Sequence, residues 1–249
     1  MEDMNSLVTP PRWKEFNIFG VLFVTLGLLL VAVMVWRGGW WWLAIWPAAT
    51  LLIVGCRYLL IGSRVFGKTP VGTRRWFTRI LLLPYCSVNY WGWRAMRLAR
   101  RTEPAWHRVA DGVYIGRRAF GHELPSDVDV VVDLTAEFCE PKCVRSGRRY
   151  IGLPTLDASC PDNDDAVFTA LDSIVHHPGG TYIHCAEGHG RAAMLTAIVL
   201  IAKGEADSTD DALAMIKAIR PGIKPRPWQR ARVKHWEKRW RNQSAVSSS

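Results

Sequence analysis

A run of 21 residues from Phe16 to Trp36, FNIFGVLFVTLGLLLVAVMVW, carries no charged side chain, and nothing else in the sequence limits the fold so strongly. A helix rises about 1.5 Å per residue, so this length matches a ~30 Å hydrocarbon core and the run is expected to span a membrane. A second uncharged run begins at Trp40 (WWWLAIWPAATLLIVGC) and continues past Arg57 to Ile61, with Arg57 close enough to its end to snorkel. Gly38 and Gly39 leave room only for a tight hairpin, and Trp36, Trp40, Trp41 and Trp42 stand where an aromatic belt belongs. Each run has an alternative as a buried core helix, but such helices rarely extend so far without a charge. A cleaved signal peptide fits less well, because the first run is too long and lacks an A-x-A cleavage site.

The net charge of +10 has a single source. Of 32 Lys and Arg, ten (Arg57, Arg64, Lys68, Arg74, Arg75, Arg79, Arg94, Arg97, Arg100 and Arg101) lie in a stretch with no acid, and the remaining 22 cancel the 22 Asp and Glu. By the positive-inside rule this flank is cytoplasmic, and so is the N-terminus with Arg12 and Lys14. The expected protein is an integral one, of a bacterial inner membrane, with both termini and the soluble part in the cytoplasm. Its basic surface would face anionic lipid, not nucleic acid. Six cysteines (56, 86, 139, 143, 160 and 185) in such a compartment argue against a disulfide framework. Cys139 and Cys143 have no second pair at ligand spacing, so no metal and no cofactor is expected.

The sequence then divides into an N-terminal tail (1–15), the hairpin (16–62), a basic juxtamembrane segment (63–103), an α/β domain (104–242) and a disordered Ser-rich tail (243–249). Read as a helix from Tyr90, the juxtamembrane segment places Arg94, Arg97, Arg100 and Arg101 on one side and Trp91, Ala95, Met96, Leu98 and Ala99 on the other. That is an interfacial pattern, with a solvated basic linker as the alternative. Beyond Pro104, strands are expected at 113–115, 128–132, 149–152 and 181–185, and helices at 164–176, 191–203, 212–219 and 227–241. Ser208 opens the third of these helices as a cap.

Residues 181–204, TYIHCAEGHGRAAMLTAIVLIAKG, carry the chemistry. A thiol at a strand end, five residues, then an Arg opening a buried helix make a loop whose N–H groups can turn around one tetrahedral anion. Gly188 and Gly190 permit the backbone to do so. The helix N-terminus adds positive potential at the same point, which favours a thiolate at Cys185. Arg191 offers a planar fork for two phosphoryl oxygens.

The run His184, Cys185, Ala186, Glu187, Gly188, His189, Gly190, Arg191 resembles the H-C-x-x-G-x-x-R signature of the protein tyrosine phosphatase superfamily, and within it the dual-specificity branch. The resemblance extends from about Trp106 to Trp236. Residues 111–116 (DGVYIG) are similar to that branch's opening strand, and 212–227 (ALAMIKAIRPGIKPRP) to the helix and Arg-Pro turn after its catalytic helix. It implies an α/β fold with a central sheet flanked by helices, no metal, and a two-step reaction through a cysteinyl phosphate. Cys185 would be nucleophile, Arg191 the phosphate clamp, and the loop from His184 to Ala192 the phosphate cradle. The segment 153–157 (LPTLD) resembles the branch's acid-bearing loop, which assigns the general acid to Asp157 ahead of Asp162, Asp164 and Asp165. Those three read as the cap and first turn of the next helix. His184 would orient the loop through hydrogen bonds.

One departure is Ala192, where most members carry a Ser or Thr that helps sulfur leave. A catalytically weak phosphate-binding adaptor is therefore an alternative to the active enzyme, and a rhodanese-like sulfur carrier a more distant one. The substrate is a phosphorylated protein or a phospholipid headgroup. The anchor favours lipid, as in the similar mitochondrial phosphatidylglycerophosphate phosphatases. Glu187 opposes it, being negative where lipid-directed members often carry Lys.

Overall fold

The computed structural model describes residues 18–60 and 66–247. The tail at 1–15, Phe16, the hairpin end at 61–62, Arg64 and residues 248–249 lie outside the described residues. Helices α1 (Ile18–Arg37) and α2 (Ile45–Leu60) are joined by a 3-10 turn at Gly39–Ala44. They form an antiparallel hairpin in which Gly27 meets Leu52 and Gly55 meets Val24. A Cβ at Gly55 would sit 2.7 Å from the Val24 backbone nitrogen, so glycine is what lets the two backbones touch. Two helical stretches, Ile18–Arg37 and Gly39–Cys56, are long and apolar enough to cross a membrane, and only 17% and 22% of their residues are buried. A soluble core helix would be mostly buried.

Two further helices, α3 (Trp76–Leu81) and α4 (Leu83–Ala99), lead to a five-stranded sheet. Its strands are β1 (Trp106–Ala110), β2 (Val113–Arg117), β3 (Val128–Thr135), β4 (Arg149–Thr155) and β5 (Gly180–Cys185), in the order β1-β2-β5-β3-β4. Only the β1–β2 pair is antiparallel. Central β5 is buried at every position and β3 at all but Asp129, because parallel strands covered on both faces need continuous apolar runs. Helices α5 (Lys142–Arg145), α6 (Asp164–Val175), α7 (Arg191–Ala202), α8 (Thr209–Ile219) and α9 (Pro227–Ser247) complete the fold. Eleven of the twelve residues of α7 are buried, the condition that an all-round apolar helix requires. Ser208 caps α8 by accepting the Asp211 N–H at 3.1 Å. Asn163 caps α6, with Asp164 and Asp165 in its first turn.

Three expectations need correction. β1 precedes the strand read as the opening one, pairing with it through a bulge. The tail expected to be disordered from 243 is helical as far as Ser247. The third concerns the juxtamembrane segment, which is built into the α/β domain instead of lying beside it. Helix α4 begins at Leu83; Tyr85, Trp93 and the half-buried Asn89 and Arg97 form its inner face, and the flanking Leu82 and Arg100 are buried and half-buried. Arg97 pairs with Glu123 and donates to the Arg118 carbonyl. Two of the four arginines assigned to the basic face of an interfacial helix, Arg97 and Arg100, therefore pair with acids of the α/β domain, Arg100 with Glu187 at 2.6 Å. Val88, Trp91, Arg94 and Leu98 remain exposed on the opposite face.

Candidate active site

Every group of interest sits at the carboxyl ends of the parallel strands, where open α/β sheets place their ligands. β5 ends at Cys185, and five loop residues lead into α7 at Arg191. The outer side of this loop is fully tied down. The Ala186 carbonyl accepts from the Arg118 N–H and Trp93 Nε1, both at 3.2 Å. Arg220 donates at 3.1 Å to the carbonyls of Glu187 and Gly188, and the Lys224 N–H reaches the His189 carbonyl at 3.0 Å. In a trans peptide the N–H points away from the carbonyl. The four amides that follow these carbonyls, at Glu187, Gly188, His189 and Gly190, therefore turn into the loop. Gly188 donates to Cys185 Sγ at 3.2 Å. Its φ is +76°, and a Cβ there would lie 2.4 Å from the Gly116 carbonyl carbon, so no other residue fits.

Arg191 is 2% exposed and is held by the end of β4 and the loop after β3. Its Nη2 and Nη1 pair with the two carboxylate oxygens of Glu137 at 2.7 and 3.0 Å, and Nη1 also donates to the Thr155 carbonyl at 2.7 Å. Burial alone would raise the Glu137 carboxyl, but the guanidinium outweighs it and keeps the group below its ordinary range. The same pair, with Asp157 adding to it, raises Arg191 further against its own desolvation. Arg191 Nε is buried with no hydrogen-bond partner among the described residues. Nε and Nη2 are thus the edge that two oxyanion oxygens can take. Asp157 Oδ1 lies 3.1 Å from Nη2, on a side chain 70% exposed. The next residue, Ala158, has a φ of +57°, an unfavourable conformation for a side chain. It is held there by Trp228 Nε1 donating to its carbonyl at 2.7 Å and by Gln229 donating to the Ser159 carbonyl at 2.8 Å.

Two of the competing acids are engaged elsewhere. Asp164 accepts from Trp236 Nε1 at 2.7 Å and pairs with Arg232, and Asp165 pairs with Arg239. His184 is fully buried behind the loop, its Nε2 4.0 Å from Asp133 and 3.9 Å from Glu140. Burial holds it down at about 4, so the ring is neutral. Burial, and then the Asp133 charge, pushes Glu140 up to about 8. Asp133, Glu140 and His184 are grouped closely enough to suggest a metal. Lys68 Nζ already stands 2.6 Å from Asp133, so an ammonium supplies the positive charge there.

Glu187 is balanced where it stands. Its carboxylate is 2.6 Å from Arg100 and 3.6 Å from His189; the His189 hydrogen bond, with Arg100 helping, keeps it below its ordinary range against burial. Ala186, Gly190 and Ala192 contribute backbone and no side-chain chemistry. Glu137 is the site residue that no motif marks; the only sign of it is an acid placed just beyond an apolar strand.

Cys185, Arg191, Asp157 and Glu137 open into one cleft of about 590 Å³. Phe19 and Phe23 of α1, Tyr58 of α2, and Tyr85, Val88 and Met96 of α4 give the same cleft an apolar part, with Asn89 and Arg100 among them. Lys224 and Arg226 also line it.

No protein-family model and no curated protein sequence matches the chain. Among solved structures it is similar to PTPMT1 (22% identity, TM-score 0.49, covering 57% of this chain and 99% of that one). It is similar too to a variant of human DUSP28 (21%, 0.48, 56% and 99%) and to Tk-PTP in its active form (24%, 0.48, 55% and 98%). Likeness at this level assigns no activity; the chemistry rests on the residues around Cys185.

Proposed function

We propose that this chain is a membrane-anchored cysteine-dependent phosphatase that removes the phosphomonoester from a phospholipid headgroup. The observation that carries the lipid reading is the cleft. A phosphate seated against Cys185 shares its cleft with Phe19, Phe23 and Tyr58 of the anchoring helices and with Tyr85, Val88 and Met96 of α4. Acyl chains suit that apolar part, whereas a polar phosphopeptide would leave its backbone groups facing apolar side chains. The exposed Trp76, Phe77, Ile80, Val88, Trp91 and Leu98 of α3 and α4 extend the apolar surface, which supports seating of the cleft at the bilayer interface. By the positive-inside rule the site faces the cytoplasm. Glu187, the residue that argued against lipid, is neutralised by Arg100 and so does not repel an anionic headgroup.

The residues assign the steps. Sγ of Cys185 attacks phosphorus while the inward amides and the Nε and Nη2 edge of Arg191 hold the equatorial oxygens. Asp157 gives its proton to the leaving alkoxide as the P–O bond breaks. It then takes a proton from the water that attacks the cysteinyl phosphate, and inorganic phosphate leaves with the thiolate restored.

The test is a panel of phospholipid phosphomonoesters in mixed micelles against phosphotyrosine and phosphoserine peptides, using detergent-solubilised full-length protein. Preference for lipid by at least tenfold in kcat/KM is expected. Equal or better use of peptides would move the substrate to phosphoproteins.

The second step carries its own prediction. Among the described residues only Gly188 donates to Sγ, and Ala192, fully buried in the first turn of α7, supplies no hydroxyl. Thiolate departure should lag, giving a burst of leaving group in rapid mixing followed by a slower steady state. Ala192→Ser adds one charge-assisted hydrogen bond, worth about 1.5–3 kcal/mol, so the steady-state rate should rise roughly 10- to 150-fold and the burst shrink. With no turnover in either protein but oxyanion binding retained, the adaptor reading takes over.

A further inference from the structure

A hairpin ahead of the catalytic domain, 66–75, closed by a bridge between Lys68 and Arg74, buries two cations against the end of β3 and the loop that follows it. Lys68 is 1% exposed at its side chain and donates to Asp133 Oδ2 at 2.6 Å, to Thr135 Oγ1 at 3.1 Å and to the Thr135 carbonyl. Arg74 is 6% exposed, and its Nη2 donates to the carbonyls of Ala136 and Glu137, both at 3.1 Å. Its Nη1 meets Cys86 Sγ at 2.9 Å and its plane covers Phe66, so the guanidinium is fixed from three sides. The Glu140 N–H completes the seam by donating to the Gly72 carbonyl at 2.9 Å.

We infer that this hairpin is a positioning element for phosphate binding: Arg74, supported by Lys68, fixes the backbone of Ala136 and Glu137 so that the Glu137 carboxylate holds Arg191 with its Nε and Nη2 edge toward the substrate. The inference rests on the phosphatase reading of Cys185 and Arg191. A bidentate pair sets the plane of a guanidinium as well as its position, and Glu137 engages Arg191 through both oxygens. Its own backbone has no regular partner strand at this point, since β3 ends at Thr135. Arg74 is what fixes those two carbonyls. The segment joining the anchor to the enzyme is thereby placed one residue away from the clamp, and the catalytic unit begins at the hairpin and not at residue 104.

The experiment uses full-length protein in detergent, an aryl phosphate as substrate and vanadate as oxyanion probe. Arg74→Lys keeps the charge but cannot reach both carbonyls in one plane. It is expected to weaken vanadate inhibition and lower kcat/KM by roughly 10- to 100-fold while most of the protein remains folded. In a Glu137→Gln background the same change should cost less than about twofold, because its route is already cut. Losses that multiply, or a lower melting temperature with vanadate affinity unchanged, would overturn the relay. If Arg74→Lys does not fold, the pair Lys68→Met with Asp133→Asn removes the neighbouring support without leaving a buried charge. Reduced vanadate affinity is expected of it, and unchanged affinity would count against the inference. Loss of turnover in Cys185→Ser checks the underlying phosphatase reading separately.

Discussion

Cys185→Ser abolishes turnover of an aryl phosphate, by at least roughly 10⁴-fold, and leaves the fold intact. The exchange changes almost no volume at a site that is 3% exposed, so packing costs stay small. Oγ can still accept the Gly188 N–H that Sγ accepts at 3.2 Å. What is lost is the nucleophile, because a hydroxyl beside these donors remains protonated and no base stands against it. Vanadate or tungstate should still bind through the inward amides and Arg191. Steady-state assay and oxyanion titration of the two proteins side by side make the check. Activity within tenfold of the parent would remove Cys185 from the mechanism, and with it the cysteinyl-phosphate route.

What was legible in the sequence was what is local. The loop from Cys185 to Arg191 is contiguous, and the strand and helix around it announce themselves as apolar runs because both are buried. Asp157 could be singled out because it follows a strand in a recognisable segment. Glu137, Lys68 and Arg74 could not, because each matters through a partner far along the chain: 54 positions separate Glu137 from Arg191, and 63 separate Arg74 from the Glu137 carbonyl. Composition also misled in α4. A basic face on an interfacial helix reads as meeting anionic headgroups, yet Arg97 and, just past the helix end, Arg100 find Glu123 and Glu187, and only the folded domain brings those acids within reach. The helix continuing to Ser247 was missed for the opposite reason, since Ser-rich ends lack the apolar periodicity on which the reading depends.

Asp157→Asn should cost on the order of 10²- to 10⁴-fold with an alkyl phosphate, and clearly less with an aryl phosphate whose leaving oxygen needs no proton. The contrast between the two substrates carries the prediction. Asp157 has its carboxylate 3.1 Å from Arg191 Nη2, and a phosphoryl group that takes that N–H displaces the carboxylate while keeping it beside the departing oxygen. The exchange should barely affect stability: the side chain is 70% exposed and ion pairs made at the surface contribute little. Nor should it release Arg191, which Glu137 still grips through both oxygens. Thermal melting that matches the parent would therefore accompany the loss of rate, separating chemistry from folding. Substrate binding should also hold, since Asn leaves the Nε and Nη2 edge open and removes a competing negative charge. Rate measurements with the two leaving groups decide the assignment. Equal losses on both would mean that Asp157 does not supply the proton, and Asp162, five positions further along the same loop, would be the next acid to test.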